Sequence, residues 1–253
     1  MPKKAQKPRI KRETGILILL MGHTGAGKSS FINTASNRPN TALVNESITS
    51  ESVEIMHFTI PNPANPSERP IIFVETPGFN HIKVNDFEIL RHISEWMSRS
   101  CKLDVRVGGI IYFHPINQSR ISETNWLLNY LSSPEPVQHL LLTTTKWDGR
   151  LTEYEHRERE LKHKAWKGLL DRGARTSQFR NDLSPESAWK VINMLLDLEP
   201  LELRILKRDL DKICAGNGNT AHNTKPRKGL FSKLFRLFGL VRFSGLVFDS
   251  SSC

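Results

Sequence analysis

Gly22-His23-Thr24-Gly25-Ala26-Gly27-Lys28-Ser29 is the stretch on which the fold turns. It satisfies G-x-x-x-x-G-K-[ST], and it follows the apolar run Ile16 to Met21 and precedes Phe31-Ile32, the strand–loop–helix setting that this motif requires. Its glycines let backbone N–H groups wrap phosphates, and a helix starting at Lys28 adds its positive dipole end. In this reading Gly22, Thr24, Gly25, Ala26, Gly27, Lys28, Ser29 and Ser30 bind a nucleoside triphosphate. Lys28 reaches the β- and γ-phosphates and Ser29 ligates Mg2+.

Outward from this loop, strand-like and helix-like segments alternate, which predicts an α/β fold. Strands are expected at about 15–21, 52–60, 71–75, 107–114 and 137–144, with a short one near 176–179. Helices are expected at about 28–37, 86–100, 122–132, 152–172, 184–197 and 199–213. Pro61-Asn62-Pro63-Ala64-Asn65-Pro66 is rich in turn residues and predicts an antiparallel hairpin between the second and third strands. The fold class is therefore three-layer α/β, a mostly parallel sheet with one antiparallel strand and helices on both faces.

The chain of 253 residues carries a net charge of +10, and that charge is concentrated at its ends. Residues 1–13 hold Lys3, Lys4, Lys7, Arg9, Lys11 and Arg12 against Glu13, and residues 214–253 hold another six basic side chains against Asp249. The middle is neutral, which argues against a domain dedicated to nucleic acid. Cys101, Cys214 and Cys253 are far apart and odd in number, so neither a disulfide scaffold nor a Cys-rich zinc site is expected. No run of about 18 apolar residues predicts a membrane span, and Ile16–Met21 is too short for a secretory leader. A cytoplasmic protein, peripheral on a membrane at most, is expected.

Thr145-Lys146-Trp147-Asp148 follows the apolar run Val137 to Leu142 and resembles the [NT]-K-x-D guanine-recognition motif. A carboxylate at Asp148 can accept two hydrogen bonds, from the guanine ring N–H and its exocyclic amine, and adenine offers no such pair. The wrong base leaves the carboxylate unpaired, which is a strong discriminator. The Lys146 stem would lie along the base plane. Between the two motifs, Glu75-Thr76-Pro77-Gly78 matches D-x-x-G with Glu in place of Asp.

In order and spacing these segments resemble TRAFAC-class P-loop GTPases, and within them the septin-like and immunity-associated (GIMAP-like) group. The resemblance covers about residues 14–197. Gly109-Ile110-Ile111-Tyr112-Phe113-His114 and Glu186-Ser187-Ala188-Trp189 resemble segments of fungal proteins made of a single G domain. The resemblance implies that Glu75 holds Mg2+, with its extra methylene altering metal geometry, and that the Gly78 N–H contacts the γ-phosphate. It also implies a switch Thr reaching Mg2+ and the γ-phosphate; Thr49 is the best match, with Thr41 and Ser47 as rivals. For the base-stacking loop it points to Asn181, in Phe179-Arg180-Asn181, over Ser187-Ala188. Ras-like enzymes place Gln after the third motif to orient water; here Phe79 stands there, so slow hydrolysis is expected unless His81, His23 or a partner's arginine completes the site. The charge-dense helix at 152–172 is read as a solvated face with i,i+4 pairs and no function.

The expected organisation is a basic arm at 1–13, a G domain at 14–214, a linker at 215–227 and a basic amphipathic segment at 228–253. In that last segment Leu230, Phe231, Leu234, Leu237, Phe238 and Val241 share one side of a helical wheel, with Lys233, Arg236, Ser232, Gly239 and Arg242 on the opposite arc and Leu240, Phe243 and Phe235 intruding there. It reads as an anchor for an anionic membrane surface through 228–243, with docking on the G domain or on a partner as the rival. The sequence thus predicts a protein that binds GTP, GDP and Mg2+ with slow hydrolysis. The rival is a non-hydrolysing, GTP-dependent scaffold, with a P-loop ATPase or kinase further behind. Septin-like pairing as a homodimer or oligomer across the nucleotide face is a further expectation; nucleic acid is not an expected partner.

Overall fold

A computed structural model of the chain describes residues 15–42, 55–63, 69–79, 86–101, 105–118, 134–180 and 184–216. Its strands are β1 (Ile16–Gly22), β2 (Met56–Ile60), β3 (Ile71–Glu75), β4 (Arg106–Pro115), β5 (Leu140–Thr145), β6 (Arg175–Gln178) and β7 (Leu201–Glu202). Its α-helices are α1 (Lys28–Ser36), α2 (Asp86–Ser100), α3 (Pro134–Gln138), α4 (Leu151–Glu160), α5 (Lys167–Leu170), α6 (Pro185–Leu196) and α7 (Leu203–Gly216).

Among the described residues these strands make one sheet in the order β2-β3-β1-β4-β5-β6, with β7 added beside β4. β1 runs parallel to both β3 and β4, and β4–β5 and β5–β6 are parallel as well. β2 is antiparallel to β3, with Met56 opposite Glu75 and Ile60 opposite Ile71, as the proline-rich turn predicted. β7 adds a short antiparallel pairing that the sequence reading did not include, Arg106 with Glu202 and Val107 with Leu201. The chain leaves β1 toward β3 on one side and β4 on the other, so the order reverses at β1; ligands of open α/β sheets bind beyond the strand ends at such a point.

Strand residues alternate between faces, and β1 divides accordingly. Leu17, Leu19 and Met21 enter a core with Ile89, Ile93 and Met97 of α2 and Leu206 and Leu210 of α7. Ile18 and Leu20 enter the opposite core with Phe31 and Ile32 of α1 and Ala188, Ile192 and Leu195 of α6. Each fully buried side chain of this kind contributes roughly 1.5–3 kcal/mol of transfer free energy, so the sheet is fixed from both faces. The Trp189 indole N–H donates to the Ala35 carbonyl at 2.9 Å and ties α6 to the C-terminal end of α1.

Several boundaries differ from expectation. The strand expected from 137 begins at Leu140, because Pro134–Gln138 forms α3, whose prolines suit a helix start. The helix expected over 152–172 is interrupted: α4 gives way at Leu161–Ala165 to a π-helical turn closed by Trp166 N–H to Leu161 O at 2.8 Å. That turn carries Trp166 into the core, where it is wholly buried. α7 begins at Leu203, after β7, and runs through Ala215 and Gly216, two residues expected to be linker. The compact unit ends at Gly216. The expected helix at 122–132, the arm at 1–13 and everything from 217 lie outside the described residues, and no described helix is long and apolar enough to cross a membrane.

Candidate functional site

The loop after β1 needs glycine at its first position. Gly22 has φ +143°, and a Cβ there would lie 2.5 Å from the Phe113 carbonyl oxygen of β4. Gly27, at the N-cap of α1, offers no capping side chain, so the first-turn N–H groups are left for an anion. Lys28 is buried, and its ammonium donates to the carbonyl oxygens of Gly22 (3.2 Å) and His23 (3.0 Å). Burial pulls its pKa down to about 8, against the nearby charge of Glu75. The Ser29 hydroxyl donates to Glu75 Oε1 at 2.6 Å, and burial raises the Glu75 pKa against that bond and the Lys28 charge. Burial and then the Lys28 charge lower the pKa of His23 in the loop, and burial and then His23 lower that of His114 to about 4.

The segment after β3 is fastened to this loop by its backbone. The N–H and hydroxyl of Thr76 both donate to Leu20 O, at 3.2 and 3.0 Å, and Phe79 N–H donates to Gly22 O at 3.1 Å. Gly78 lies so close that a Cβ on it would sit 2.3 Å from the Thr24 amide nitrogen. The Phe79 ring is wholly buried in the same core as Met21 and Ile89, away from any position that could orient a water.

The third group of residues comes from the end of β5. Thr145 is buried, and its hydroxyl donates to Ala26 O at 2.8 Å, joining the loop after β5 to the phosphate-type loop. Lys146 takes the left-handed conformation with φ +59°. Asp148 is exposed; its Oδ1 accepts from the Tyr154 hydroxyl and its Oδ2 from Asn117 Nδ2 at 3.4 Å. The Arg180 guanidinium lies 4.8 Å from the centre of the Trp147 ring. Gly22 through Ser30, Glu75, Gly78, Thr145, Lys146 and Asp148 thus gather along the ends of β1, β3 and β5.

Thr49, Ser47, His81 and Asn181 lie outside the described residues. Thr41 sits past the C-terminal end of α1, its hydroxyl donating to Arg38 O at 3.1 Å and lying 3.0 Å from that of Ser36. Ser187 and Ala188 are inside α6, with Ala188 wholly buried. The helix read as purely solvated corrects that expectation: Tyr154 is buried and reaches Asp148, and buried Glu158 accepts from Thr144 and Gln178 at 3.1 and 2.8 Å. Tyr154 and Asn117 carry no motif, and Arg180 and His114, though inside recognisable segments, carry no role there, so only the fold could find these contacts. Asn33 does the same for the chain after α1, with its amide clasping Ala42 through both N–H and C=O.

The donor set fits a Mg2+-nucleotide: an ammonium, an uncapped helix start, and a hydroxyl and carboxylate side by side as hard oxygen ligands. The sequence profile of a family described as 50S ribosome-binding GTPase matches residues 17–146, just over half of the chain. The chain belongs to this GTPase family. It is a GTP-binding P-loop GTPase domain, with guanine nucleotide as its ligand. Among solved structures, bacterial selenocysteine-specific elongation factor EF-Sec superposes with a TM-score of 0.51 at 19% identity, over 73% of this chain and 29% of that one. Era bound to MgGDPNP and a segment of 16S ribosomal RNA gives 0.52 at 14% identity, over 75% and 58%. Aquifex aeolicus Era, as a variant bound to GDP·AlF4−, gives 0.51 at 14%, over 74% and 57%. At these identities the likeness is one of fold, and the GTPase spans less than two thirds of each of those chains. No curated protein sequence matches it.

Proposed function

We propose that this GTPase hydrolyses GTP to GDP and phosphate slowly and with Mg2+, by in-line attack of water on the γ-phosphate. The observation that carries the reading is the convergence of Lys28, the Ser29–Glu75 pair and Thr145 at one end of the sheet. Lys28 exchanges two loop carbonyls for the β- and γ-phosphates, where its charge opposes the charge growing in the transition state. Ser29 and Glu75 hold Mg2+ with Thr49, and bound Mg2+ neutralises the phosphate oxygens. The Gly78 N–H faces the γ-phosphate, Asp148 reads the guanine edge and Asn181 packs on the base. Hydrolysis is slow because Phe79 puts its side chain into the core where a water-orienting group is needed.

That same buried Phe79, with Glu75 in the metal-ligand position, favours a second reading: a GTP-dependent assembly module without turnover. Phosphate release by the full chain with Mg2+ or EDTA, over a range of protein concentrations, separates the two. Slow Mg2+-dependent release, steeper than linear in protein, supports hydrolysis with pairing across the nucleotide face. Tight GTP binding with no release supports the scaffold, and equal competition by ATP would remove the guanine assignment.

The finer placement in the septin-like and immunity-associated group, of the fungal single-domain kind, is supported by Gly22–Asn33, Glu75–Phe79 and Thr144–Asp148 as sequence. With it we propose a cytoplasmic protein whose basic arm (1–13) and segment 228–253 flank the G domain, the latter tethered by the linker that follows it and binding anionic membrane through 228–243.

A further inference from the structure

Asp148 is held by side chains that belong to none of the nucleotide motifs. The Tyr154 hydroxyl donates to its Oδ1, and Asn117 Nδ2 approaches its Oδ2 at 3.4 Å. Tyr154 is buried, so its hydroxyl is a fixed point, whereas the Asp148 carboxylate stands on an exposed turn. The Tyr154 ring meets the Trp147 ring edge to face, with centroids 6.1 Å apart and planes at 83°. The Arg157 guanidinium lies 5.6 Å from the centre of the Tyr154 ring and donates to Ile116 O at 3.1 Å, the residue before Asn117. Arg180 covers Trp147 at 4.8 Å. One stack, Arg157–Tyr154–Trp147–Arg180, therefore joins α4, the loop after β4, the loop after β5 and the chain after β6.

We propose that Tyr154 is a specificity-determining positioning residue, whose hydroxyl fixes the Asp148 carboxylate in the orientation that reads guanine. The inference rests on the reading of Asp148 as the base reader. An unrestrained aspartate on an exposed turn samples several χ1 and χ2 settings, and two parallel hydrogen bonds to a planar base require one of them. Each carboxylate oxygen has two lone pairs, so the Tyr154 bond on Oδ1 leaves acceptor capacity for the ring N–H and the exocyclic amine. The aromatic stack supplies the rigidity. Without its anchored ring the hydroxyl would be as mobile as the carboxylate it restrains.

The test is Tyr154→Phe, which keeps the ring and the stack and deletes one oxygen. GTP and ITP affinities are titrated on the same preparation; ITP lacks the exocyclic amine and reports the second hydrogen bond alone. The GTP/ITP affinity ratio should fall about five- to tenfold, with ITP affinity much less changed. A loss of folded protein cancels in that ratio, so a merely structural role leaves it where it was, and an unchanged ratio overturns the proposal. Asp148→Asn is run beside it. A ratio that collapses in Asp148→Asn but holds in Tyr154→Phe refutes the positioning role alone; a ratio indifferent to Asp148→Asn removes the base reader and the Tyr154 role with it.

Discussion

The proposed phosphate end and base end of this site are built from different materials. At the phosphate end the work is done by backbone and by burial: Gly22 against Phe113 O, Gly78 against the Thr24 amide, Phe79 N–H on Gly22 O, and Lys28 enclosed by carbonyl oxygens. At the base end the proposed reader is an exposed carboxylate, bonded by the Tyr154 hydroxyl within a cluster of Tyr154, Trp147, Arg157 and Arg180. A charge common to all nucleotides can be met by generic N–H groups and an ammonium. A base edge demands directed acceptors, and those need second contacts to stay aimed. Among the described residues the two ends meet through Thr145 Oγ1, which donates to Ala26 O at 2.8 Å.

The largest effect should therefore come from the phosphate end. In the proposed site Lys28→Ala deletes the principal side-chain charge on the β- and γ-phosphates, while the carbonyls of Gly22 and His23 keep the Phe79 and Ala26 N–H donors. GTP affinity by titration should fall by roughly a hundredfold or more, taking charge-assisted bonds at about 1.5–3 kcal/mol each. GTP and ITP should lose affinity alike, because the base end is untouched. A selective loss of GTP over ITP would show that the two ends are not separate devices.

The dryness of the phosphate end has its own signature in acid. His114, wholly enclosed at the end of β4 with its ring 5.8 Å from that of Trp166, stays neutral down to about pH 4. The unfolded chain binds a proton there near pH 6.5. Between those values the unfolded state holds more protons, so stability is complete above 6.5 and falls as pH drops through the window, by about 3 kcal/mol at most. In His114→Gln that part of the acid sensitivity should vanish. Melting temperatures of the two proteins at pH 7 and pH 4.5 check it; an identical pH-dependent drop in both would show that buried His114 is not the source of that acid sensitivity.

The same contrast decided what could be read from the sequence. Gly22 to Ser29 was legible because its function is local: eight consecutive residues make the turn, the helix start and the ammonium. The parallel sheet was legible because β1, β3 and β4 are continuous apolar runs. α3 was not, because Val137 prolongs the apolar run of β5 and a short run does not tell helix from strand. β7 has two residues, too few for a period. The π-helical turn at Leu161–Ala165 hid under alternating charge, with buried Trp166 its only sign. Tyr154 and Arg157 looked like members of a solvated helix, since nothing in Glu153-Tyr154-Glu155-His156-Arg157 says that Asp148 and Ile116 lie against it. Asn117 and Asp148 are 31 positions apart and become neighbours only when β4 and β5 pair.

The smallest effect should come from Arg180, at the rim of the base end. Its guanidinium covers Trp147 and its Nε donates to Gln178 Oε1 at 2.9 Å, but the side chain is exposed and solvent competes for both contacts. A cation on an aromatic face in such a place contributes about 0.5–1 kcal/mol, a two- to fivefold change. Arg180→Ala should therefore lower GTP affinity a few-fold at most, and Arg180→Lys less, because an ammonium keeps the charge over the ring but not the planar stack. The informative quantity is coupling with the hydroxyl at the other side of Trp147. If the stack acts as one body, Arg180→Ala costs less GTP affinity in a Tyr154→Phe background than in the native chain, since the carboxylate it helps to restrain is already loose. Additive losses in that double-mutant cycle would mean that Arg180 only shields Trp147, and that the base end is ordered from the α4 side alone.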